Sequence, residues 1–313
     1  MIPYILRRIG AGLVLIAAVS VVAFTLLYVG SGDIARRILG QNATAETVTQ
    51  LRTELGLDRP VIAQFADWVM GAVTGDLGRS WFDGQFVSVS VTGRLGVTLT
   101  LVIGATLLAA ILAVLLGVVA ARRGGWIDGL VQFLAVIGFA VPGFLIALYL
   151  VLLFAIELGW FRATGFIPLS DSVTGWIGSV TLPIIALSIS AIAAVAQQIR
   201  GSMIDALAKD YVRTLRSRGL NARSVVYKHA LRNASAPAVA VLGVQFIGLL
   251  GGAVVVEQVF ALPGLGQLTV QATTQGDIPV VMGVVVVTAI VVVIVNLIID
   301  LAQAAINPKV RLS

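Results

Sequence analysis

The sequence predicts an all-α polytopic membrane protein with six transmembrane helices and both termini cytoplasmic. Three observations predict it. Of the 313 residues, 58% are hydrophobic and 12% charged, whereas soluble domains are about half apolar and about a quarter charged. Six apolar runs, each free of Lys, Arg, Asp and Glu, are long enough to cross a bilayer. Outside the long outer segment 30–96, which is mixed in sign and too long to be a topology signal, the basic residues fall almost wholly on one side. A mean hydropathy of +1.02 leaves too little charge for a water-facing surface. It also excludes disorder, which needs low hydrophobicity and high charge. Cysteine is absent, so there is no disulfide framework, thiolate nucleophile or cysteine-bound cluster.

The runs cover about 9–29, 97–120, 130–156, 177–199, 237–256 and 280–299. A transmembrane β-barrel would show short alternating segments instead. The run Val284-Val285-Val286-Val287 is β-prone in water, but in lipid only a helix satisfies its backbone without a partner strand. The first run follows Arg7 and Arg8, as in a signal peptide. It is longer than a signal core and no clear small-x-small site follows, so a retained first helix is expected.

Even span number puts both termini on one side. That side carries Arg7, Arg8, Arg122, Arg123, Arg200, Lys209, Arg213, Arg216, Arg218, Arg223, Lys228, Arg232, Lys309 and Arg311. The short outer loops near 157–176 and 257–279 offer only Arg162. The positive-inside rule makes the basic side cytoplasmic. It also accounts for the net charge of +6 without nucleic acid. The organisation expected is an N-terminal tail and first helix (1–30), an extracytoplasmic segment (31–96), a five-helix core (97–303) and a cytoplasmic tail (304–313).

In the outer segment, Asp58-Arg59-Pro60 marks a helix start. Val61, Phe65, Trp68 and Val69 recur at helical spacing, and Gly75-Asp76-Leu77-Gly78 ends the helix. The segment reads either as a small cap on the membrane or as a docking surface for an external partner.

The inner loop, 200–233, says more. Ile204, Leu207, Tyr211 and Leu215 form one stripe of a helix, with Lys209, Arg213 and Arg216 off it. Gly219 can take the left-handed conformation that ends a helix. Asn221 or Ser224 can cap a second helix carrying Val225, Val226 and Leu231. The hairpin reads equally as a basic anchor on anionic lipid or as a lever inserted in a cytoplasmic partner.

No catalytic or metal constellation is present. There is no G-x-x-x-x-G-K-[ST] phosphate loop. Ala261-Leu262-Pro263-Gly264-Leu265-Gly266 reads as an outer turn. His229 is the single histidine, and neither a zinc site nor a triad follows from one. Glu257 and Asp300 fall at span ends, so no mid-membrane carboxylate points to an ion-driven mechanism. Gln132, Gln197, Gln198, Gln245 and Asn296 are the amide groups in or near spans. They line a pathway or bond neighbouring helices. Of these, Gln132, Gln197, Gln245 and Asn296 are the pathway candidates.

The stretches Arg200-Gly201-Ser202-Met203, Asp210-Tyr211-Val212-Arg213-Thr214, Gly219-Leu220 and His229-Ala230-Leu231-Arg232-Asn233 resemble the cytoplasmic signature of ABC-importer permeases, and within them the dipeptide/oligopeptide permease family (DppB/OppB type). Tyr4-Ile5-Leu6-Arg7-Arg8, Leu55-Gly56-Leu57-Asp58-Arg59-Pro60, Gly75-Asp76-Leu77-Gly78-Arg79-Ser80, Arg94-Leu95 with Thr98-Leu99, and Val259–Gly266 are similar to the same family, so the resemblance runs almost end to end. Departures are Leu215 where Ala is usual, Ser31 and Ile34 beside Gly32-Asp33 where prolines are common, Gly96 for Pro, and Gly276 before Asp277 where a basic residue is frequent.

The resemblance implies a type I ABC importer permease fold and a peptide importer. It implies a second homologous permease, two cytoplasmic ATPases that hold ATP and Mg (this chain binding no cofactor itself), and an extracytoplasmic solute-binding protein. Asp210, Tyr211, Val212, Arg213, Thr214, Leu215 and Gly219 are then expected to couple to the ATPases, supported by His229, Arg232 and Asn233. The same machine carrying nickel, haem or another small solute is the neighbouring alternative. A stand-alone secondary transporter or channel is the distant one.

Overall fold

The computed structural model describes residues 2–30, 34–40 and 43–306. Ser31, Gly32, Asp33, Lys309 and Arg311 lie outside the described residues, as does the side chain of Tyr4. The helices are α1 (Ile2–Gly30), α2 (Ile34–Leu39), α3 (Ala45–Glu54), α4 (Val61–Thr74), α5 (Val87–Arg123), α6 (Gly125–Ala140), α7 (Gly143–Leu150), α8 (Val173–Ala208), α9 (Asp210–Ser217), α10 (Ala222–Ser224), α11 (Leu231–Val259), α12 (Leu265–Gln275) and α13 (Ile278–Ile306). A π-helical stretch, Val151–Glu157, extends α7, and another, Val225–Ala230, joins α10 to α11. Among the described residues, five helices are long and apolar enough to cross a membrane, and the number is six if the bent pair of α6 with α7 and its π-helical extension counts as one span.

The chain divides into two compact units, 1–96 with 263–294 and 97–262 with 295–313. In the first, helix ends follow local chemistry. Thr44 caps α3 by accepting from the Thr47 amide. Pro60 stands at the start of α4, and Gly75 ends it at φ +90°, where a side chain would be strained. Both ends of α4 fall where the sequence places them. Its inner face, Phe65 and Trp68, joins Phe24, Ile34, Ile278 and Met282 in one core, with the Phe24 and Phe65 rings 5.2 Å apart. A second cluster sets Val87 and Val91 against Leu265, Leu268 and Val281.

In the second unit, α8 is the central helix, with the largest buried share of any span. Small residues let its neighbours close on it. Ala230, Ala234 and Ala238 recur every fourth residue and pack with Val195, Ile199 and Met203 of α8, the close approach that drives association in lipid. Gly117 of α5 lies so near the Ala196 carbonyl that a Cβ there would sit 2.8 Å from it. Ser172 caps α8, accepting from Gly175 at 3.1 Å. Pro183 and Pro237 stand inside α8 and α11, as membrane helices tolerate when neighbours satisfy the freed carbonyls.

Four expectations need correction. The third span is not one rod. It breaks at Val141-Pro142 and turns by 97°, because proline removes a backbone donor and pushes its predecessor out of the helical region. The inner stripe is not continuous either. Lys209 is extended (φ −72°, ψ 148°), so Ile204 and Leu207 belong to α8 while Tyr211 and Leu215 belong to α9. The second inner helix is not a separate element but runs on into the fifth span as one 38-residue helix. The outer loop 257–279 contains a helix, α12, with Leu265, Gly266, Leu268 and Ala272 buried. Gly276 ends it at φ +85°, which explains the glycine where a basic residue was expected.

Candidate functional site

The segment after α8 builds a short helix held at both ends. Lys209 ends α8, and its carbonyl begins α9 by accepting from Val212 at 3.0 Å. Asp210 occupies the first turn and Arg216 the last, each charge complementing its end of the helix dipole. At the far end Leu220 donates to the Leu215 carbonyl and Gly219 to the Arg216 carbonyl, at 3.2 and 3.0 Å, with Gly219 at φ +77°. That pair of bonds is the Schellman arrangement. Asn221 then caps the next helix by accepting from Arg223 at 3.0 Å.

The faces of α9 are distinct. Val212 is buried, 1% exposed, and holds the helix to the body of the unit. Tyr211 and Leu215 are half-buried, and Arg213 and Thr214 are exposed. The Asp210–Arg213 pair, 3.7 Å apart, is open to water and worth little. His229 lies half-buried in the π-helical stretch, and exposed Arg232 and Asn233 follow in the first turn of α11. Asn233 Nδ2 donates to Tyr211 Oη at 3.1 Å. The structure thus brings together residues 22 apart in the chain that the sequence grouped in one loop.

The pathway candidates separate. Gln132 donates to Asp128 at 3.1 Å. Asp128 of α6 is ion-paired with Arg200 of α8, Arg200 Nη2 lying 2.5 Å from Asp128 Oδ2. Gln132 therefore serves a clasp between two helices. Gln197 is half-buried, and its neighbour Gln198 bonds Ser202 at 3.0 Å. Asn296 is half-buried in α13. Gln245 lines a cleft of about 310 Å³ between α7, α8 and α11.

Sequence reasoning missed three acidic contacts. One is the Asp128–Arg200 pair, whose signal was a single acid in an otherwise basic inner stretch. The second is Glu257. It stands near the outer end of α11 as expected, yet it is fully buried and accepts from Thr98 at 2.5 Å. The third is Asp277, 2% exposed, which accepts from Ser80 Oγ at 2.5 Å and the Trp81 amide at 3.3 Å. Burial pushes the Asp277 carboxyl above its ordinary range, with the Ser80, Trp81 and Val280 bonds opposing the shift. Among the described residues no acidic or histidine group of three is placed to hold a metal.

Residues 113–312 match the family described as the binding-protein-dependent transport system inner membrane component, and residues 1–102 match its N-terminal region. A putative peptide transport system permease protein of Brucella abortus (strain 2308) is 39% identical over 99% of both chains. A probable peptide ABC transporter permease protein of Sinorhizobium fredii is 36% identical, over 98% of this chain and 99% of its own. The glutathione transport system permease protein GsiC of Escherichia coli O6:H1 is 37% identical over 99% of both. Among solved structures, the inward-facing MetNI methionine ABC transporter matches with a TM-score of 0.53 at 18% identity, over 67% of this chain and 93% of that one, a likeness of fold. The chain belongs to the family of inner-membrane components of binding-protein-dependent transport systems.

Proposed function

We propose that this chain is the permease subunit of an ATP-driven importer of di- and oligopeptides and couples to its ATPases through α9. The observation that carries the coupling is the break at Lys209. It sets an eight-residue helix with exposed polar residues between two long apolar helices. A partner that grips α9 moves α8 and α11 together, because the chain joins it to α8 at Lys209 and the Tyr211–Asn233 bond ties it to α11. Two cytoplasmic ATPases would hold ATP and Mg, close on nucleotide and push α9. The spans, paired with those of a second homologous permease, would then alternate between outward and inward access. Asp210, Tyr211, Val212, Arg213, Thr214, Leu215 and Gly219 form the contact, supported by His229, Arg232 and Asn233. The outer segment 31–96 would receive a solute-binding protein, and both termini would face the cytoplasm, as the distribution of basic residues supports.

Peptide cargo is supported by the relatives named for peptide transport and by GsiC, since glutathione is a modified tripeptide. The test is uptake of labelled di-, tri- and pentapeptides, nickel and haem by a deletion strain with and without the intact transporter. Peptide uptake restored by the transporter is the expected result. Restoration of nickel or haem uptake alone would replace peptide as the cargo.

A further inference from the structure

The cleft beside Gln245 has features that neither lipid nor an apolar helix would satisfy. Its walls come from Gly143 and Phe144 at the start of α7, Ser190 on α8, and Gln245, Gly248 and Gly252 on α11. Gly143 and Phe144 follow directly on the proline break in the third span. Gly248 borders open space, since a Cβ there would meet nothing within 4 Å. Gln245 is the central residue of α11 and Ser190 lies at the middle of α8, so both stand near the depth of the bilayer midplane. No charged side chain lines the cleft.

The Gln245 amide and the Ser190 hydroxyl make no hydrogen bond among the described residues. An amide left without a partner in hydrocarbon costs several kcal/mol. Some other polar groups in the same helices are paired, Ser188 with Ile185 and Gln198 with Ser202. Whatever fills the cleft therefore brings both a donor and an acceptor, and no net charge to match. A carboxamide side chain meets a peptide group on those terms, giving its N–H to the carbonyl and taking the peptide N–H on its oxygen.

We infer that this cleft is a translocation subsite that holds one peptide bond of the cargo, with Gln245 pairing to the peptide group and Ser190 giving a second contact. The assignment rests on the peptide reading of the preceding section. At about 310 Å³ the cleft is at the small end of the ~300–1,000 Å³ range of ligand sites, room for a short piece of peptide. Its neutrality makes it indifferent to the charge of cargo side chains, as a permease for mixed peptides requires.

The experiment uses the complete transporter in proteoliposomes, with the same binding protein in every arm. Uptake of a labelled tripeptide and of its analogue N-methylated at the central peptide bond is measured for wild type, Gln245→Leu, Ser190→Ala and Gly248→Leu. Gln245→Leu is expected to lower tripeptide turnover about tenfold, the loss of one or two neutral hydrogen bonds. It should lower analogue uptake less, because the analogue keeps only the carbonyl bond to lose, with ATPase stimulation by the binding protein retained. Gly248→Leu should slow both substrates by filling the cleft. Unchanged uptake and unchanged discrimination in Gln245→Leu and Gly248→Leu would overturn the subsite while the peptide reading stands. Loss of the second permease from purified Gln245→Leu would overturn it in favour of a helix–helix contact. A wild type that carries no peptide would overturn the peptide reading, and the subsite with it.

Discussion

Tyr211 Oη accepts from Asn233 Nδ2 at 3.1 Å, and this bond crosses the corner between the short helix α9 and the start of the fifth span. It joins the two ends of the inner loop where the backbone turns twice, at Lys209 and at Gly219. The bond is exposed, so its contribution is one of orientation more than strength. Tyr211→Phe keeps the ring and removes the bond. Both it and Asn233→Ala should cost about 0.5–1.5 kcal/mol in the coupling of transport to ATP hydrolysis, and the double mutant should cost no more than either alone. Additive losses in a double-mutant cycle would show that the two side chains act separately.

Gly219 sits at φ +77° with open space around its Cβ position, so a substitution there is penalised by backbone conformation alone. For a β-branched residue that region is a genuine outlier, costing of order 1–3 kcal/mol. Gly219→Val should reduce uptake while membrane insertion stays normal, and Gly219→Asn should do so much less, because Asn tolerates the left-handed region. Equal uptake in wild type and a well-expressed Gly219→Val complex would remove the corner from the coupling mechanism.

The Asp128–Arg200 clasp ties α6 to α8 on the same face of the membrane as α9. Asp128→Asn leaves the guanidinium with one neutral acceptor in place of a carboxylate, and Arg200→Gln leaves the carboxylate with amides only. Each single change is expected to lower the melting temperature of the detergent-purified complex. The exchange Asp128→Arg with Arg200→Asp should recover part of the loss, as an ion pair would and a packing contact would not. Failure of the exchange to recover any stability would mean that side-chain shape, not charge, holds the two helices.

The parts of this fold that were legible in the sequence had a local cause. Pro60 and Gly75 bracket α4 because a fixed φ starts helices and a positive φ ends them, and both marks are single residues. The spans were legible because lipid forces apolar composition. The break at Lys209 carried no such mark, because a lysine is a good helix former. Pro142 marks the bend in the third span, but it lies inside an unbroken apolar run that reads as a single span. α12 was hidden by Gln and Thr, which read as loop when the burial of Leu265 and Leu268 is unknown. At the site, spacing grouped Tyr211 with Asn233 in one loop without giving their bond. Pairs such as Ser80 with Asp277, 197 residues apart, lie beyond any periodicity argument.

Asp277 makes a pH dependence that can be signed. Burial raises its folded-state pKa, so the folded protein holds this proton at pH values where the unfolded chain has released it. Stability then falls as pH rises from the ordinary carboxylate range through the raised folded value, and levels off above it. Thermal melts across that window should show the decline in wild type and lose most of it in Asp277→Asn. The variant should also be less stable at the acid end. The Ser80 hydroxyl and the Trp81 amide each donate to a separate oxygen of Asp277, and an amide has one acceptor oxygen where the carboxyl has two. A wild-type profile that rises with pH in this window would contradict the burial assignment.

The inner loop as lever and the inner loop as lipid anchor ask different things of the same residues. An anchor on anionic lipid depends on the sum of positive charges, each worth about 1 kcal/mol near the surface. A lever depends on a few apolar side chains seated in a protein groove, where a handful of residues dominate. The burial pattern of α9 separates two kinds of side chain: Val212 is buried, while Tyr211 and Leu215 are half-exposed. Tyr211→Ala with Leu215→Ala should therefore cut transport per ATP hydrolysed sharply, and Val212→Ala should loosen α9 itself and reduce both activities together. Arg218→Gln with Arg223→Gln removes two exposed charges, leaves the Schellman bonds and the apolar side chains intact, and should do much less. Uptake and ATPase activity of the three variants in reconstituted complexes decide the matter. If the charge variant is crippled while the Tyr211 and Leu215 variant works, the loop is an electrostatic anchor and coupling must run elsewhere.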